Sequence, residues 1–141
     1  MTPTTLIGRE LGFFRALFLV SALWNLAGAI PGIFDSAGMF EREFSHTLAD
    51  PVMIAIYRGA WVTAFLYGLG FLLVAYNPVR HTGIVMMGGL GKALFAVNLL
   101  IMYLNGWTSD FAIVVITGDV VFVLLFAIYF LRLRHHGHAL M

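Results

Sequence analysis

Cysteine is absent from the 141 residues, which excludes disulfides, thiolate metal sites and thiol–disulfide chemistry. Charge is scarce. Charged residues make up 11% of the chain and hydrophobic residues 61%, with a mean hydropathy of +0.93. Soluble domains run nearer ~25% charged, so the composition already points to lipid. There is no basic run away from the chain ends, and a net charge of +1 gives nucleic acid nothing to bind. Histidine is missing from every long apolar stretch, which leaves a buried bis-His haem without ligands. No Ser/His/Asp set, paired carboxylates or metal-ligand cluster falls within those stretches, so no catalytic residue, metal or cofactor is assigned.

What the chain does have is four long apolar segments, at about 13–34, 52–76, 83–104 and 111–131. A spanning helix needs ~20 apolar residues to cross a ~30 Å core. None alternates with the period of a barrel strand. The first exceeds a signal-peptide core and carries Arg15 and Asn25, so it reads as a span. The expected fold is a single all-α transmembrane domain, an antiparallel bundle of four helices.

The connections divide the chain at the same places. Asp50-Pro51 predicts an N-cap and a first-turn proline, and Ser109-Asp110 predicts a cap for the last span. Asn77-Pro78 closes the second span. Between the first two spans, Met39, Phe40, Phe44 and Leu48 recur at helical spacing with Glu41, Arg42 and Glu43 between them. That pattern predicts a short amphipathic helix at the interface. Tyr76, Tyr103, Trp107 and Tyr129 are placed as interfacial aromatics.

Arg9, Arg15, Arg80, Arg132 and Arg134 fall on one side of this arrangement and only Arg42 on the other, so both termini are expected in the cytoplasm. His135, His136 and His138 read as a solvated tail.

Polar residues inside the spans are the informative ones. Counted from the non-cytoplasmic ends, Arg58 and Asn98 lie about 9 Å deep, Asp119 about 12 Å, Asn25 about 13–14 Å and Lys92 about 18 Å. Intramembrane charges cost ~2.5–3.5 kcal/mol on insertion scales and therefore seek partners. Each has a packing reading. Asn25 shares a stripe with Ser21, Gly28 and Gly32, and the glycines of Gly88-Gly89-Leu90-Gly91 permit close helix approach. Arg58 and Asp119 are expected as an ion pair, with Lys92 nearby. Two cations against one carboxylate leave one positive charge over if all are ionised, so either Lys92 gives up its proton on burial or an anionic lipid or other anionic amphiphile completes the site.

Trp24-Asn25-Leu26-Ala27-Gly28-Ala29, and Arg80-His81-Thr82-Gly83-Ile84-Val85 leading to Gly91-Lys92, resemble stretches of small bacterial four-helix membrane proteins. The general build is similar to that of the DoxX-like group. The resemblance implies a bacterial inner-membrane protein and assigns no functional residue. Small multidrug-resistance transporters share the size and span number, but their signature acidic residue in the first span has no counterpart here.

The leading expectation is a binding or accessory protein whose polar cluster, Asn25, Arg58, Lys92, Asn98 and Asp119, holds an anionic amphiphile or docks a membrane partner. A homodimeric small-solute or ion transporter, and an enzyme acting on a lipid or quinone, are the alternatives.

Overall fold

A computed structural model describes residues 8–137 and contains five helices. Helices α1 (Gly8–Phe34), α3 (Pro51–Tyr76), α4 (Thr82–Leu104) and α5 (Phe111–His135) are each long and apolar enough to cross a membrane. The short helix α2 (Ser36–Phe44) lies between α1 and α3. The chain is thus a multi-pass membrane protein with the expected bundle. The first and last long helices begin and end beyond the apolar stretches, because their outermost turns carry Arg9, Glu10, Arg132 and Arg134.

Local chemistry accounts for most boundaries. The Asp50 carboxylate accepts from the Met53 amide at 2.9 Å, with Pro51 in the first turn. Asp35 caps α2 through the Gly38 amide at 3.1 Å. Helix α3 stops at Tyr76, immediately before Asn77-Pro78. Ser109 behaves differently from its predicted capping role. Its amide donates to the Glu43 carbonyl at 2.8 Å and its hydroxyl to the Arg42 carbonyl at 2.5 Å. The α4–α5 loop is therefore fastened to α2, and α5 starts without a side-chain cap.

Helix α1 packs chiefly on α3, and α4 chiefly on α5. The two pairs meet most closely at the end where α1 begins and α5 finishes. There Phe14, Phe18, Phe71, Phe126 and Tyr129 form one buried aromatic core. Tyr129 belongs to this core and not to an aromatic belt. It is fully buried, its ring meets Phe14 and Phe18 edge-on, and its hydroxyl donates to the Pro78 carbonyl. His136 is likewise no solvated tail residue, since it is largely buried and lies 3.0 Å from Glu10. His138 lies outside the described residues.

Glycines set the closest approaches. A Cβ at Gly88 would meet the Phe71 ring at 2.6 Å, and one at Gly89 would meet Phe126 at 3.2 Å. Gly88 and Gly89 thus serve helix packing, whereas Gly91 has open space beside it. Gly28 and Gly32 of α1 form a socket for the Trp61 indole, and Gly118 of α5 one for the Trp24 indole.

Candidate intramembrane binding site

Toward the α2 end the two helix pairs diverge, leaving a cavity of about 600 Å³. On α3 the cavity runs from Tyr57 to Phe71, about 20 Å along the bundle axis. Its wall is mostly aromatic and aliphatic, including Trp24, Trp61, Tyr67, Phe95 and Leu99. Pockets of this size and lining are the usual form of small-molecule sites.

Three polar side chains meet on its inner wall. The Lys92 ammonium donates to Asn25 Oδ1 at 2.8 Å and to Asp119 Oδ1 at 2.8 Å. Trp24 Nε1 donates to the same Asp119 oxygen at 3.1 Å. Asn25 Nδ2 donates to the Ala64 carbonyl at 3.1 Å, tying α1 to α3. Lys92 and Asp119 are both nearly buried, and the Phe122 ring centroid lies 5.2 Å from the ammonium. The cluster therefore joins α1, α3, α4 and α5 through one cation, one anion and one amide. It is electrically neutral with both ends of the pair ionised. Asp119 Oδ2 has no hydrogen-bond partner among the described residues, and Lys92 has a third N–H. One acceptor and one donor remain on the cavity wall.

Arg58 and Asn98 are not part of this cluster. The cavity face of α3 carries Tyr57, Ala60, Trp61 and Ala64, and Arg58 lies about 100° round the helix from Tyr57. Its Nε donates to the Ser36 hydroxyl of α2 at 3.3 Å, and the side chain is otherwise exposed. Of the two cations expected near Asp119, Lys92 pairs with it and Arg58 does not, so the surplus positive charge counted at this cluster is gone. Asn98 lies about 9 Å farther along α4 than Lys92, beyond its reach. Its amide makes only a long contact to Met102 Sδ at 3.8 Å, although it lines the cavity.

The residue that sequence reasoning misplaced is Glu43. It was expected on the solvated side of α2, but the buried residues of that helix are Ser36, Met39 and Glu43. Glu43 is 3% exposed and accepts from the Tyr57 hydroxyl at 2.7 Å. Burial raises its pKa above the ordinary 4.5, and the Tyr57 hydrogen bond partly offsets this. Ser36, Met39 and Glu43 share one face at i, i+3 and i+7, but with two polar members that face carries no hydrophobic signal in the sequence. Phe40 and Phe44 pack on the Tyr57 ring, while Leu48 falls beyond the end of α2.

Among the described residues no group of three His, Asp or Glu is placed to hold a metal ion. Comparison with known protein families, curated proteins and solved structures finds no match for this chain.

Proposed function

We propose that this is a small membrane binding protein that takes an apolar or amphiphilic molecule into the cavity between its two helix pairs. The cavity itself carries the reading. It is large, mainly apolar, and provided with one free donor and one free acceptor at Lys92 and Asp119. A bundle held only for its own stability would close such a space, because protein interiors pack to the density of organic crystals. A membrane-dissolved ligand reaches the site without leaving an apolar phase, and its polar group finds partners on arrival.

The Lys and Arg distribution supports placing the end with the termini in the cytoplasm. The cavity then occupies the opposite half of the bilayer, under α2.

Native mass spectrometry after extraction in a mild detergent tests the reading. A retained small molecule is expected on the wild-type protein. It should be lost when Ala60→Phe fills the cavity, while the variant keeps its helical circular dichroism. Equal retention by a folded Ala60→Phe protein would place the molecule elsewhere and overturn the proposal.

A further inference from the structure

Glu43 is the buried acid at the α2 end of the cavity, where the exposed Arg42 also lines the wall without pairing to it. It is almost completely buried, yet among the described residues it takes part in no ion pair. Its single side-chain partner is the Tyr57 hydroxyl, bonded to Oε2. Oε1 has none, and the residue lines the cavity. The other buried carboxylate among the described residues, Asp119, is matched by Lys92. Burying an unpaired carboxylate is costly, and a cation beside it removes much of that cost.

The surroundings of Glu43 suit a particular kind of cation. Phe44, Tyr57 and Trp61 line the cavity around it. The Tyr57 ring meets those of Phe44 and Trp61 edge-on, with centroids 6.4 and 6.2 Å apart. Aromatic faces beside a carboxylate stabilise an alkylated ammonium, which is weakly hydrated and attracted by ring quadrupoles. Below this ring set the cavity continues inward past Ala60 and Ala64. Tyr57 and Ala64, which marks the level of the Asn25 cluster, are two turns apart, about 10 Å.

We propose that the α2 end of the cavity is a binding site for a cationic amphiphile, with its ammonium group between Glu43 and the rings of Phe44, Tyr57 and Trp61 and its hydrocarbon chain directed inward along α3. This rests on the reading of the cavity as a ligand site and adds the charge of the ligand. It reverses the sign expected from the sequence, because the counted excess cation, Arg58, bonds to Ser36, whereas the buried acid Glu43 lines the cavity beside the exposed Arg42.

The test uses the full chain in nanodiscs of an uncharged galactolipid, which carries no ammonium group to compete, and reads tryptophan fluorescence, since Trp24 and Trp61 both border the cavity. Dodecyltrimethylammonium, dodecanol and dodecyl sulfate are titrated as probes of equal chain length. The cation is expected to give a saturable change at a concentration at least tenfold below the other two. Glu43→Gln preserves size and can still accept from Tyr57. It is expected to raise the half-saturation for the cation tenfold or more and to leave that for dodecanol within twofold. Ala60→Phe should abolish the saturable change for all probes, separating site binding from bilayer partitioning. Saturable binding without charge preference, or a cation affinity unchanged in Glu43→Gln, would overturn this inference and leave the cavity reading standing. No saturable binding of any probe would overturn this inference alone, the cavity's retained molecule being judged separately by mass spectrometry.

Discussion

Lys92 and Asp119 meet at 2.8 Å with almost no solvent at either side chain, and among the described residues each is the other's only counter-ion. Removing one leaves an uncompensated buried charge, whereas removing both leaves no charge but takes a partner from the Trp24 N–H and from the Asn25 amide oxygen. Asp119→Leu is expected to destabilise the bundle by about 3 kcal/mol. The double variant Lys92→Met, Asp119→Leu is expected to recover part of that loss, the remainder being the unpaired Trp24 N–H and Asn25 amide oxygen. Unfolding equilibria in bicelles measure both. A double variant as unstable as the single one would show that the pair holds the helices together through its geometry as well as its charge.

The raised pKa of Glu43 gives stability a pH dependence of known sign. The folded protein holds that proton more tightly than the unfolded chain does. Its contribution is therefore full below the ordinary carboxylate value and is lost as pH rises through the raised value. Melting temperature in detergent should fall over this window in the wild type. The fall should be shallower in Glu43→Gln, which cannot ionise. The comparison is made variant against wild type at each pH, so that other titrating groups cancel.

Ser109 holds α2 to the α4–α5 loop through two backbone carbonyls of α2. Ser109→Ala removes the hydroxyl contacts and keeps the amide bond to Glu43. The expected loss is about 1 kcal/mol, confined to this junction. Hydrogen exchange should rise at the amides of α2 and stay unchanged at the centre of α5. Uniform acceleration along the whole chain would mean that α2 is integral to the global unfolding unit.

Gly32 lies where the Trp61 indole leaves no room for a Cβ. Gly32→Ala should cost about 1–3 kcal/mol through overpacking. Trp61→Leu combined with it should recover part of that loss. Thermal unfolding of the two single variants and the double one gives the coupling. Strict additivity would indicate that the two residues do not share space.

The sequence made the spans legible because lipid imposes one rule on every exposed position. Asn77-Pro78 and Asp50-Pro51 are strictly local devices, and they appear where they were expected. Ser109 was not legible as a tether, because its partners are carbonyls on α2, far away in the chain. The polar residues divided in the same way. Depth along a helix follows from counting, and it put Asn25, Lys92 and Asp119 within reach of one another. The direction round the helix does not follow from counting, and it is direction that sends Arg58 to Ser36 and brings Glu43 inside. Tyr129 shows the same blindness. At a predicted interface it looked like a belt residue, but the Phe14 and Phe18 rings and the Pro78 carbonyl enclose it.

The two indole sockets carry a consequence for how such a chain can change over generations. Positions 32 and 61 share one volume, and so do positions 118 and 24. Within each pair the small residue is tolerable only while the large one faces it, and the large one only while its partner stays small. Substitutions at these positions should therefore arrive in couples, with a lost tryptophan accompanied by a gained side chain opposite. A lineage that traded Trp24 in this way would also give up an N–H on Asp119, so the charge pair would record the exchange.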